Sequence, residues 1–207
     1  MSITHLYLLV VFVCAFIGVL RWHHLSTPIK LICILVIYIF FSDTLSFYFN
    51  FQKLFSHFPY HFYAMVRFSI FGWVYYNFVK TKNFQIAIKI IGFTLVSWFI
   101  ISPFLIDMSE ISAYNFRIEC FWVILLTLGY FYYLSKQDEY VPLKDLSAYW
   151  ISIGLFIFYT GSTLLFSTIG YMYDLNKELA IKMLNWLTYG PNMFLYVMFS
   201  IAFYAKQ

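Results

Sequence analysis

Apolar residues run through this chain in long blocks, and the polar positions fall mostly in the gaps between them. A helix that crosses a membrane needs about 20 predominantly apolar residues. By that measure the pattern predicts seven spans, at about 4–20, 29–49, 59–79, 84–105, 113–134, 147–170 and 181–204. Together they use nearly all of residues 1–207, and the connections are too short to hold an extramembrane domain. No Gly/Ser linker, low-complexity tract or clear internal repeat interrupts them. The expected fold is all-α: a polytopic membrane protein with seven transmembrane helices in one bundle and a single domain.

The gaps set the expected orientation. Arg21, Lys30, Lys80, Lys82, Lys136, Lys144 and Lys206 fall in one set of connections, and Lys53, Lys177 and Lys182 in the other. The excess of Lys and Arg marks the cytoplasmic side, which predicts the N-terminus outside and the C-terminus in the cytoplasm. The opening stretch MSITHLYLLVVFVCAFIGVLRWHH has no basic residue before its apolar run and no small-residue cleavage site. It reads as an uncleaved first span, not a signal peptide.

Composition sharpens this picture. Hydrophobic residues make up 63% of the chain and charged residues 11%, against about 25% charged in a soluble domain. The lipid bilayer is the first partner implied. A net charge of +4 is spread thinly over the connections, without the basic cluster that nucleic-acid binding requires. Cys14, Cys33 and Cys120 all lie inside apolar blocks and read as small buried hydrophobes. Aromatics at 25% of the chain reflect composition and do not mark a binding box.

Polar residues inside the blocks are the candidate chemistry. Arg67 stands near the middle of PYHFYAMVRFSIFGWVYYN, where an unneutralised arginine costs at least a few kcal/mol. Asp43, about 9 Å below the outer end of the second span, and Arg67, about 12 Å deep in the third, lie at similar depth. Consecutive spans are usually neighbours, so Asp43 is the first expected partner. Glu119, about 9 Å deep in the fifth span, competes for the same cation. Asn115 shares the Glu119 face at i, i+4, whereas Arg117 faces elsewhere and is shallow enough to snorkel.

In the last span Asn185, Tyr189, Asn192 and Tyr196 follow one helix face, beside a Pro191 expected to loosen the helix. Thr160, Thr163 and Ser167 make a weaker stripe in the sixth, where Gly154 and Gly161 permit close helix approach. Asp43, Ser46, Arg67, Asn115, Glu119, Ser167 and Asn185 all map to the outer half of the bundle. Two readings stand: an outward-facing polar cavity that binds or senses a ligand, and a polar network that only holds helices together.

His5, His57 and His61 are expected at the outer surface, where a three-histidine metal site competes with a plain interfacial role. His23 and His24 read as cytoplasmic interfacial anchors. No mid-membrane histidine offers a haem ligand, and the last span lacks a mid-helix lysine for a retinal Schiff base. HExxH, paired-carboxylate and Gly-rich phosphate motifs are absent, and grouping Ser46, His57 and Asp43 as a triad has only loose spacing behind it. The chain is therefore expected to need no cofactor and not to be an enzyme.

The stretches PLKDLSAYWISIGLFIFYTGSTLLFSTIGYMY and LNWLTYGPNMFLYVMFSIAFY resemble small seven-transmembrane-helix proteins of Bacteroidota. The resemblance rests on Pro142, Tyr149, Trp150, Gly154, Phe158, Tyr159, Gly161 and Ser162, on Asn192 to Tyr196, on Asn115, Arg117 and Glu119, and on Asp43. The family pattern has a Glu in the third span where this chain has Arg67. Similar modules are the membrane sensory parts of histidine kinases, so the resemblance implies a sensory or receptor-like protein that signals through a separate cytoplasmic protein. The alternative is a pore-forming or membrane-perturbing accessory effector, for example in phage defence, acting as a homo-oligomer. An intramembrane lipid enzyme ranks last.

Overall fold

A computed structural model describes residues 3–49, 57–105, 108–137 and 142–205. The described chain is 92% helical and without strands. Its helices are α1 (Ile3–Leu20), α2 (Thr27–Phe49), α3 (His57–Phe78), α4 (Lys82–Ile101), α5 (Met108–Ser135), α6 (Ser147–Leu175) and α7 (Lys177–Tyr204). Among the described residues, five stretches are long and apolar enough to cross a membrane: Ile3–Leu20, Thr27–Leu45, Lys82–Phe104, Tyr114–Ser135 and Ser147–Thr168. That make-up suggests an integral membrane protein. Helices α3 and α7 fall on the third and seventh expected blocks.

One expected connection is almost entirely helical. Residues 171–180 were assigned to a gap, yet α6 runs on to Leu175 and α7 starts at Lys177, with only Asn176 extended between them at φ −157° and ψ 103°. The stretch contains no Pro or Gly, so little breaks the backbone hydrogen bonding. Hydropathy marks where a helix leaves hydrocarbon, not where it ends. At 1.5 Å per residue α6 is about 44 Å long, well beyond a hydrocarbon core of about 30 Å.

Contacts divide the chain into two compact units: Met1–Ser26 with Val141–Gln207, and Thr27–Tyr140. In the first, α6 and α7 form an antiparallel hairpin and α1 lies along α7. Ile151, Leu155 and Tyr159, spaced by four, put one face of α6 in the core, and Leu195, Phe199 and Ala202 do the same for α7. Gly154 sets how closely the helices approach. A Cβ there would stand 2.9 Å from the Met198 Cβ and 3.4 Å from the Leu195 carbonyl oxygen. The Ser147 hydroxyl donates to the Ala205 carbonyl at 3.3 Å, the Trp150 indole donates to the Lys144 carbonyl at 2.8 Å, and the Arg21 guanidinium lies 5.2 Å from the Tyr204 ring centre. Helix α7 continues through Pro191, and a Cβ on Gly161 would meet that ring at an ordinary 3.9 Å.

In the second unit α3 is central, packing most extensively on α5 and also on α4 and α2. Phe68 sits between Phe99 at 5.5 Å and Trp122 at 5.3 Å, and two turns on Tyr75 packs against Phe78 and Tyr130. The Gln85 amide donates to the Tyr76 carbonyl at 3.0 Å, tying the start of α4 to the end of α3. Much of α4 is exposed and apolar, including Ile90, Phe93 and Ile100, as suits a helix facing lipid.

Candidate functional site

Arg67 lies ten residues after His57 and eleven before Phe78, so about 15 Å from either end of α3. Its Nε donates to Oε1 of Glu119 and its Nη2 donates to Oε2. This two-pronged match of guanidinium and carboxylate is stronger and more directional than a single charged hydrogen bond. The Glu119 side chain is fully buried, and only 13% of the Arg67 side chain is exposed. An isolated carboxylate or guanidinium in such a place would be held at heavy cost, and the pair removes most of it. Phe116, one turn before Glu119, sets its ring centre 5.9 Å from the guanidinium carbon. Asn115, buried to 1% exposure, sits on the same α5 face.

Arg67 thus meets Glu119, which sequence ranked behind Asp43. Asp43 lies half-buried on α2 of the same unit. The main partner of α3 is α5, which brings Glu119 to Arg67, and α2, which carries Asp43, also packs on α3. Facing residues on α5 behave as their spacing predicts. Glu119 and Asn115 are buried together, while Arg117 is exposed, with its guanidinium carbon 5.9 Å from the Tyr114 ring centre.

Next to the ion pair in sequence, Phe68 and Trp122 stack on one another and form part of the wall of a cavity of about 390 Å³ between α3, α4 and α5. Gly72 and Gly92 leave room for it: a Cβ on Gly92 would meet nothing within 4 Å. Lys89 also lines the cavity, its ammonium 5.0 Å from the Tyr76 ring centre.

The first unit holds the α7 stripe. Tyr189 and Tyr196 pack against Tyr7 of α1, with ring centres 5.3 and 6.0 Å apart. This part of the face therefore meets a neighbouring helix. Asn192 is half-buried on α7, and the Asn185 side chain lies outside the described residues. Of the α6 stripe, Thr163 and Ser167 are exposed and donate to the Tyr159 and Thr163 carbonyls of their own helix. His5 is exposed on α1, while the side chains of His57, His61 and Ser46 lie outside the described residues. Among the described residues no three His, Cys, Asp or Glu side chains gather as a metal site would require. Cys14, Cys33 and Cys120 are buried, and none forms a disulfide.

Sequence reading passed over two residues of the cavity. Lys89 is a cation inside the block 84–105, so the rule that singles out Arg67 applies to it as well. Trp122 carries no such signal, because an aromatic in an apolar block is ordinary core until its neighbours are known.

Comparison with protein families, curated proteins and solved structures finds no match to this chain.

Proposed function

We propose that this chain is a sensory, receptor-like protein of the bacterial inner membrane, with seven spans, its N-terminus outside and its C-terminus in the cytoplasm. Its signal passes to a separate cytoplasmic protein. The observation that carries this reading is the Arg67–Glu119 pair: two opposite charges, one fully buried, bonded through two hydrogen bonds near the middle of α3. Ionisable groups at such depth are costly and usually serve function. A small molecule, lipid head group or ion that competes for either member offers an alternative partner for the other. It would loosen α3 from α5, and a change in helix packing is a form in which a membrane sensor can transmit a signal. The resemblance to sensory modules of histidine kinases points the same way.

The test is native mass spectrometry of the tagged chain, extracted in mild detergent from its own host. The sensory reading expects a monomer or dimer carrying a bound small molecule that is lost in Arg67→Lys, which keeps the charge but not the fork. A large homo-oligomer with no bound molecule overturns it in favour of the pore-forming reading.

A further inference from the structure

The cavity between α3, α4 and α5 is separate from the Arg67–Glu119 bond, and its chemistry differs. Its wall is mostly apolar, with polar atoms on Ser69, Trp73, Tyr76, Lys89 and Trp122; the Ser69 hydroxyl already donates to the Met65 carbonyl, and two donors matter for a ligand. One is the Nε1 of Trp122. This side chain is 3% exposed, and its N–H meets no hydrogen-bond acceptor. Nε1 lies 3.9 Å from where a Cβ on Gly72 would stand, so it points at the space that glycine leaves open. A buried indole N–H without an acceptor costs free energy that a bound acceptor would recover. The other is the Lys89 ammonium beside Tyr76. Tyr76 lies four residues, about 6 Å, along α3 from Gly72. No carboxylate stands among the described residues that line the cavity.

A ligand that satisfies this wall needs an anionic group at Lys89, a neutral acceptor about one helical turn away at Trp122, and an apolar tail. Its volume of about 390 Å³ lies at the lower end of the range of about 300–1,000 Å³ for ligand sites, enough for part of a lipid and not the whole. We infer that the cavity binds an anionic glycerophospholipid from the surrounding bilayer. The phosphate sits at Lys89, an ester carbonyl accepts from Trp122 Nε1, and one acyl chain lies over Gly72 and Gly92. A fatty acid has one acceptor group and cannot serve both positions. Lys89 is seven residues inside α4, about 10 Å from its start. Lysine stems at that depth reach back toward the helix N-terminus and the membrane surface. This inference requires a membrane location but not the sensory reading, and it survives if that reading fails.

The full-length chain in mild detergent is titrated with phosphatidylglycerol, with phosphatidylcholine of the same acyl chains, and with oleate, and the retained lipid is counted by native mass spectrometry. Phosphatidylglycerol is expected to be retained at about tenfold lower concentration than phosphatidylcholine, with oleate weaker than both. Gly92→Leu adds bulk where a Cβ meets open space and should abolish retention while the thermal transition of the lipid-free protein stays in place. Lys89→Met should erase the preference for phosphatidylglycerol and Lys89→Arg restore it. Trp122→Phe should weaken both phospholipids alike. Equal retention of the two phospholipids, oleate held as tightly as phosphatidylglycerol, or undiminished retention in Gly92→Leu each overturn the inference.

Discussion

The two units solve helix packing in opposite ways. In the first, α6 and α7 meet over Gly154, with apolar side chains on both faces and no room for a Cβ. In the second, α3 meets α5 through a buried ion pair and an aromatic stack, and a cavity remains between them and α4. Lipid offers helices little hydrophobic reason to associate, so dispersion contacts and polar bonds must do it. The α6–α7 seam relies on dispersion at short range, and the hydroxyls of Ser152, Thr163 and Ser200 donate to their own helix backbone. The α3–α5 seam relies on one strong polar bond and tolerates open space beside it. A seam built mainly by close contact is stiff and serves structure. A seam held by one charge pair can be released by whatever competes for that pair.

The comparison breaks most visibly at the ion pair. Glu119→Gln or Arg67→Met leaves the other charge buried and should cost about 3–5 kcal/mol, read as loss of folded protein in detergent melts. The first unit has its counterpart in Gly154→Ala. The added Cβ meets the Met198 Cβ and the Leu195 backbone, neither of which can swing away, so a loss of about 1–3 kcal/mol is expected. Gly161→Ala, facing Pro191 at ordinary distance, should change melting little by comparison. Asp43→Asn sharpens the second unit: because Glu119 already takes two donors of Arg67, the loss should stay near about 1 kcal/mol, as for a partly exposed charge. Thr160→Val is the smallest. The Thr160 hydroxyl is buried without a hydrogen bond, so the substitution should be neutral or stabilising by under about 1 kcal/mol in the same melts.

Sequence carried the helices well and the site only in part. The apolar blocks fall on helices among the described residues, five of them long and apolar enough to cross a membrane, as a chain that must satisfy its backbone inside lipid requires. The 171–180 connection shows the limit of that signal: a helix continues into water wherever nothing breaks it, and hydropathy is blind to that. Arg67 was legible as a residue in need of an anion, since its cost is a property of one position. That Glu119 bonds it was not, because Asp43 and Glu119 come out at the same depth along their spans. It follows from α5 being the helix that packs most extensively on α3. The cavity was less legible still. It arises where two glycines on different helices face a tryptophan on a third, and none of the three is unusual in its own block. On α7, Tyr189 and Tyr196 of the expected stripe share a partner, Tyr7. Spacing does not say whether a face meets a cavity or, as Tyr189 and Tyr196 do, another helix.

The central claim is that one charge pair holds α3 to α5. A double-mutant cycle of Arg67→Met and Glu119→Leu, followed by unfolding in detergent, tests it most directly. The account predicts that each single variant is severely destabilised and that the double variant costs clearly less than the two losses added, with a coupling energy toward the upper end of about 0.5–3 kcal/mol. Losses that simply add, with no coupling between the two positions, would contradict it.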